Sequence, residues 1–206
     1  MGDLIAEQLV SRETMTALQE FEALVRKWTK SINLVAPSTI NDIWDRHIVD
    51  SAQIFKYAPD SFRTWTDIGS GGGFPGIVVA IMAREHHPTS RFTFIESDRR
   101  KATFLRTAIR TFDLRAAVLD QRIEQAVPQQ ADVVSARALT SLSMMFEMLQ
   151  RHLSPQGIAV LHKGRRHDNE VAEARKLWRF ELEEHASLTD PEARILAIQG
   201  IQSATD

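Results

Sequence analysis

The ten residues 67–76, DIGSGGGFPG, hold five of the chain's nine glycines. They follow a short β-prone run, Thr64–Ile68, and open an apolar stretch of helical character from Gly76 to about Arg84. A strand, a tight glycine turn and a helix, in that order, begin a βαβ unit in which the glycines let the backbone approach a ligand closely. Pro75 suits the start of that helix, where the first N–H needs no partner.

The patterning on either side sets the fold class. From Glu13 to Leu34, apolar residues at Leu18, Phe21, Leu24, Val25, Trp28 and Ile32 recur at spacings of three and four, which predicts an amphipathic helix. A second helix is expected over Ile40–Tyr57, with Ile43, Trp44, Ile48, Ile54 and Phe55 on its apolar side and Pro37 and Pro59 near its ends. Beyond the turn, β-prone runs at Phe92–Ile95, Ala116–Leu119, Val133–Val134 and Ile158–Leu161 alternate with helical stretches at Arg99–Phe112, Leu142–His152 and Asn169–Phe180. This alternation predicts an α/β chain with a mostly parallel sheet. Glu181–Leu188, a TDPEA turn and Arg194–Ile198 read as an antiparallel final hairpin. A seven-stranded Rossmann-like sheet closed in this way is the methyltransferase version of the fold. The expected organisation is one compact unit: an N-terminal helical extension over 1–60 and a cofactor-binding domain over 61–206.

Composition narrows the chemistry. Of 206 residues, 43% are hydrophobic and 25% charged, as in soluble globular chains, and no apolar run is long enough for a membrane helix. The N-terminal MGDLIAEQLVSRE lacks a basic start followed by an apolar run, so a cytoplasmic location is expected. The absence of cysteine excludes disulfides, thiolate metal sites and cysteine nucleophiles. A net charge of −2 argues against non-specific coating of nucleic acid, so any basic surface is local. The pair of histidines in EHH (85–87) and the scattered His152, His162, His167 and His185 lack a ligand spacing with acids, and no metal is expected.

Two templates fit the glycine turn. From Asp67 it reads D-x-G-x-G-x-G, the turn of S-adenosylmethionine (SAM) methyltransferases; from Gly71 it reads G-x-G-x-x-G, the dinucleotide fingerprint. The acid decides. A dinucleotide brings a pyrophosphate, which a carboxylate just before the loop opposes. SAM brings an ammonium and a sulfonium, which a carboxylate favours. Asp67, Gly69, Gly71 and Gly73 are therefore read as cofactor residues. Glu96, at the end of the next strand, is placed to accept both ribose hydroxyls, which the two cofactors share.

Four further stretches are more specific: KWTKSINL (27–34), RHIVDS (46–51), SARALTSL (135–142) and LHKG (161–164). With the turn they resemble the bacterial 16S ribosomal RNA guanine-N7 methyltransferases, the RsmG or GidB family, over about Leu24 to Ile198. The resemblance implies methyl transfer from SAM to nitrogen 7 of a guanosine in the decoding region (530 loop) of 16S rRNA, in a small subunit or an assembly intermediate. It places cofactor contacts on Gly69, Phe74, Ile123, Glu124 and Arg137, the last near the methionine carboxylate or the incoming RNA. NLVAP carries Val35 and Ala36 where that family more often has Thr, outside the cofactor positions.

The groups that are missing agree with that target. Pyrimidine carbon-5 methylation generally uses a cysteine, and exocyclic-amine methylation an N/D-P-P-aromatic stretch where this chain has DVVSARAL. Guanine nitrogen 7 has a free lone pair at neutral pH and needs no general base. Catalysis can rest on alignment and exclusion of water, worth on the order of 7–11 kcal/mol at best. No catalytic acid or base is assigned. Arg46, His47, Asp50 and Ser51 are read as a polar helix face on the substrate side, the bland alternative being an ordinary cap and salt-bridge cluster. Lys163, Arg165 and Arg166, with His167, follow a strand at the ligand edge of the sheet and are read as RNA-binding. Arg99, Arg100, Lys101, Arg106 and Arg110 form a second basic stretch that serves equally well as a solvated face. Trp28 and Trp44 are read as packing; Trp178 has no assigned place. The rivals are a SAM enzyme with another acceptor, a non-catalytic Rossmann-like ribosome assembly factor and, last, an NAD(P) oxidoreductase. A monomer is the default.

Overall fold

A computed structural model describes residues 10–204, so residues 1–9 of the stretch read for a leader lie outside it. Seven strands form one sheet in the order β3-β2-β1-β4-β5-β7-β6. They are β1 Thr64–Ile68, β2 Arg91–Ile95, β3 Ala116–Leu119, β4 Ala131–Arg137, β5 Leu153–Lys163, β6 Trp178–Ala186 and β7 Arg194–Ser203. β1 to β5 pair in parallel; β7 enters antiparallel between β5 and β6. The order reverses between β1 and β4, and ligands of open α/β sheets bind at such a point.

Among the described residues five longer helices cover the sheet: α1 Arg12–Thr29, α2 Gly76–His86, α3 Arg99–Thr111, α4 Leu142–His152 and α5 His167–Leu177. Side chains start two of them. Ser11 accepts the Thr14 N–H, and Asp98 accepts the N–H groups of Arg100 and Lys101. One core cluster joins α1, α2 and α3 to the sheet: Phe21 meets Phe74, Phe104 and Phe112 with centroids 5.5 to 6.2 Å apart. A second cluster joins α4 and α5 to β4, β5 and β7 through Phe146, Leu149, Leu161 and Ile198. Trp28 and Trp44 pack against the first cluster, while Trp178 meets Phe146 edge-on in the second.

Three expectations are corrected. Residues 37–57 are not one α-helix but a 3₁₀ segment (Pro37–Asp42), a π turn (Trp44–Val49), a short α turn (Asp50–Ala52) and a second 3₁₀ segment (Gln53–Tyr57). Apolar spacing reports which side is buried, not how tightly the backbone is wound. Helix α5 stops at Leu177, and Phe180 is a strand residue that buries its ring beside Phe146 at 4.8 Å. Helix α1 ends at Thr29, five residues before Leu34.

Candidate cofactor and acceptor site

The turn after β1 has left-handed backbone at Gly69, Gly71 and Gly73, a conformation that side chains disfavour. Its glycines serve different ends. A Cβ at Gly72 would lie 2.7 Å from the Leu34 carbonyl oxygen and one at Gly73 2.7 Å from Ile77, so these two make room for the protein itself. A Cβ at Gly71 meets nothing nearer than 3.8 Å. The open approach to a ligand is therefore at Gly71, while at Gly69 the Cβ position is covered by Leu139, whose Cδ1 lies 2.6 Å from it.

Glu96 reaches the turn from the end of β2. Its Oε2 accepts the Gly71 N–H at 2.7 Å and its Oε1 the Asp98 N–H at 2.8 Å, leaving each oxygen a lone pair for a further donor. Asp67 does not face the ligand side. It is fully buried beneath the start of α2: Oδ1 accepts the Ser135 hydroxyl at 2.6 Å, and Oδ2 has no hydrogen-bond partner. Ser135 in turn accepts the Trp65 indole N–H at 2.8 Å. Burial pushes the Asp67 carboxyl up to about 6, against the pull of Ser135, Ser70 and Arg137. The acid that the sequence argument puts beside a sulfonium organises the underside of the turn.

At the C-terminal end of β4, Arg137 gathers the N-terminal extension. Its Nη2 donates to His47 Nδ1 at 2.6 Å, and Nη1 donates to the Arg46 carbonyl and to Asp50 Oδ2, each at 3.1 Å. The guanidinium also lies 5.1 Å from the centre of the Phe74 ring. His47 Nε2 lies 2.9 Å from the Thr39 hydroxyl, whose own proton goes to the Ala36 carbonyl. His47 is thereby a neutral imidazole protonated on Nε2. Burial first, then the Arg137 charge, lowers its pKa to about 4.

Asp50 is the hub of this end. Its Oδ1 accepts from Thr189 at 2.7 Å and Gln53 at 2.8 Å, and its carbonyl accepts from His162 Nε2 at 2.7 Å. Burial would raise its pKa, but His162, Arg137 and the Thr189 hydroxyl together hold it below the usual carboxylate value. Of the expected polar face, His47 and Asp50 meet at Arg137, and the exposed Arg46 side chain lines the same cavity. Ser51 is turned inward, fully buried with an unpartnered hydroxyl, because the π turn shifts it off that face.

That cavity has a volume of about 610 Å³ and is bounded by Arg46, Asp50, Arg137, His162, Thr189 and Glu192 among others. A second, of about 660 Å³, lies between residues 138–143 and the start of α5. The expected basic cluster divides between them. Lys163 is buried, and its Nζ donates to the Thr140 carbonyl at 2.7 Å and Glu170 Oε2 at 2.8 Å; it does not present its charge to solvent. Arg165 is exposed and pairs with Glu192. Arg166, at the second cavity, is exposed with no ion pair among the described residues. In the second basic stretch Arg106 pairs with Asp120 at 3.6 Å, and Arg100 and Lys101 line a small cavity with residues 31–33. His167, Asp168 and Glu184 bring ligand-type atoms within 4.8 Å of one another, with both carboxylates at the surface.

Past β3, a 3₁₀ turn carries Ile123 and Glu124. Ile123 is buried and Glu124 exposed beside Met144 and Met148. Sequence reasoning missed what fixes this turn: the buried His152 donates to the Ile123 carbonyl at 3.0 Å, and Arg151 donates twice to that of Ala126. It also missed the roles of Thr189, Glu170 and Leu139: Thr189 and Leu139 fall in motifs singled out for other reasons, TDPEA and SARALTSL, and Glu170 falls in none.

These residues fit SAM better than a dinucleotide. Gly71 N–H is engaged by Glu96, and a buried acid underlies α2, where a pyrophosphate would need free donors. Comparison with known proteins points the same way. The family model described as GidB, rRNA small subunit methyltransferase G, matches residues 14–199. A ribosomal RNA small subunit methyltransferase G of Cereibacter sphaeroides is 52% identical over 198 residues, 96% of each chain. One of Paracoccus denitrificans is 47% identical over 196 residues, 95% of this chain and 99% of its own. Among solved structures, the Bacillus cereus O-methyltransferase in complex with S-adenosylhomocysteine matches with a TM-score of 0.62, at 14% identity and 95% coverage of both chains. A SAM-dependent methyltransferase of Aquifex aeolicus matches with a TM-score of 0.58, at 12% identity, over 87% of this chain and 98% of its own. At such identities these structures establish the fold, a Rossmann-like methyltransferase sheet.

Proposed function

Because the chain belongs to the GidB family, rRNA small subunit methyltransferase G, we propose that it methylates nitrogen 7 of one guanosine in the 530 loop of 16S rRNA with SAM as donor. The observation that carries this reading is the family match over residues 14–199. The arrangement at the switch point between β1 and β4 supports it. When bound, SAM supplies an electrophilic methyl group on a sulfonium.

In this reading Glu96 holds the ribose hydroxyls with its spare lone pairs, and Gly69 and Gly71 give the cofactor its approach to the backbone. Ile123 and Glu124 border the adenine, on a turn fixed by His152. Phe74 and Arg137 close the methionine end. Asp67 shapes the turn from below without touching the cofactor. The acceptor nitrogen arrives with its lone pair free, so the chain contributes no base; it aligns the base and keeps water out. The cavity of about 610 Å³ beside Arg137 has the size for a splayed-out guanosine. Arg46 and Arg166, whose side chains carry no ion pair among the described residues, are cations free for phosphates at this edge.

The substrate is then a small ribosomal subunit or an assembly intermediate in the cytoplasm, met by a monomer with no resident metal. Among the described residues no helix is long and apolar enough to cross a membrane. The test is transfer of label from SAM to undermethylated small subunits, followed by cleavage at 7-methylguanosine. One modified guanosine in the 530 loop, lost with Gly69→Asp, supports the reading; label at another atom or in another molecule refutes it.

A further inference from the structure

The strand-end loop after β4 lies across the glycine turn. Ala138 adopts left-handed backbone (φ 51°), and Leu139, next in the chain, brings its Cδ1 to 2.6 Å from where a Cβ of Gly69 would be. Its Cγ and Cδ2 lie at 3.5 and 3.6 Å from the same point, so the whole isobutyl group rests on the open side of Gly69. Two buried or half-buried groups hold this loop down. Lys163 Nζ donates to the Thr140 carbonyl, and Glu170 Oε2 accepts both that ammonium and the Leu142 N–H at 2.9 Å. The loop is thus tied from β5 and from α5, at the residues immediately following Leu139.

We propose that Leu139 is a plug over the cofactor turn, held shut by the Lys163–Glu170 clasp, and that the donor gains its place only when this loop swings out. The proposal rests on the reading of Gly69 as a cofactor contact. An apolar side chain and a cofactor cannot share the face of Gly69, so the closed state counts against binding in proportion to its population. Lys163 and Glu170 act through the loop and are positioning residues. This explains why a lysine at the ligand edge is buried and paired instead of facing RNA. It also gives the second cavity, which Leu139 and Thr140 line, the role of space into which the loop can move.

Calorimetric titration with S-adenosylhomocysteine tests this without relying on turnover. Leu139→Ala removes the plug, and Lys163→Met releases the Thr140 carbonyl while nearly conserving volume. Each is expected to bind S-adenosylhomocysteine about 3- to 10-fold more tightly than the wild type, with the double variant well short of the product of the two. In the ligand-free protein, Lys163→Met should also speed hydrogen exchange at the amides of residues 140–142, whereas Leu139→Ala should not. Unchanged or weaker binding by a folded Leu139→Ala protein overturns the plug, making Leu139 a wall of the bound pocket or a bystander. If Lys163→Met does not fold, Leu139→Ala alone decides. A wild-type protein that does not bind S-adenosylhomocysteine at all removes the cofactor reading itself, an outcome distinct from binding that ignores Leu139.

Discussion

Arg137 Nη2 and His47 Nδ1 are 2.6 Å apart, and the contact exists only while the imidazole is neutral. It ties the end of β4 to the N-terminal extension, and through it Arg137 takes its orientation from a histidine 90 residues away in sequence. His47→Ala should lower kcat/KM by about 10- to 100-fold, the worth of one hydrogen bond to a charged group, with the melting temperature little changed. Steady-state methylation and calorimetric melting measure both; wild-type turnover by folded His47→Ala removes the role.

The same histidine makes the fold sensitive to acid. Its folded pKa of about 4 lies below the unfolded 6.5, so the unfolded chain takes up the proton first. The contribution of His47 is full above about pH 6.5 and is lost as pH falls toward 4. Urea unfolding across that range should show a shallower acid decline in His47→Gln than in the wild type.

Asp67 works in the opposite sense. Its carboxyl is raised from 3.8 to about 6, so the native state keeps a proton that the unfolded state gives up. The stability tied to that proton is full below about pH 4 and lost as pH rises through about 6. Asp67→Asn should therefore gain on the wild type between pH 4 and 7, by on the order of 2–3 kcal/mol at most. A stability difference between the two that does not vary with pH would show that Asp67 ionises normally.

Gly76→Ala should destabilise by about 1–3 kcal/mol, since its Cβ would fall 2.6 Å from Asp67 Oδ2 and 2.8 Å from Asp67 Cγ and neither element can withdraw. Gly71→Ala, with nothing within 3.8 Å, should cost stability only through its left-handed φ of 53° and is expected to lose S-adenosylhomocysteine affinity instead. Denaturant midpoints and calorimetry on the pair separate packing from binding.

For RNA, Arg166→Ala should weaken binding across sequences and lower the salt slope by about one. Arg165→Ala should do less, because Arg165 already pairs with Glu192. Filter binding of small-subunit RNA at several salt concentrations reads both slopes; equal slopes for all three proteins would place the phosphates elsewhere.

The sheet was legible because β1 to β4 are short β-prone runs, and α1, α3 and α4 show the period that apolar spacing detects; α2, buried all round from Gly76 to Ala83, was read from its place after the glycine turn. The α/β methyltransferase architecture and the family both follow from such local signals. The winding of residues 37–57 was not legible, because a π turn and an α turn bury the same residue types. Charge was the least informative signal. Lys163 and Arg165 look alike in KGRR, yet one is buried against Glu170 and the other exposed, a difference set by partners in α5 and in the loop before β7. Asp67 shows the same limit: the motif located the acid but not the direction of its side chain, which Ser135 of β4 fixes.

The position of β7 carries a consequence for folding. In the sheet β6 is paired through β7, which lies antiparallel between it and β5. Until β7 docks, β5 has a bare edge of unpaired amides and carbonyls, and β6 has no neighbour in the sheet. The loop that supplies Thr189 to Asp50 precedes β7, so the cavity beside Arg137 is braced from that side only when the strand slots in. A chain cut before residue 194 would lose the anchor of that brace together with the closing edge of its sheet.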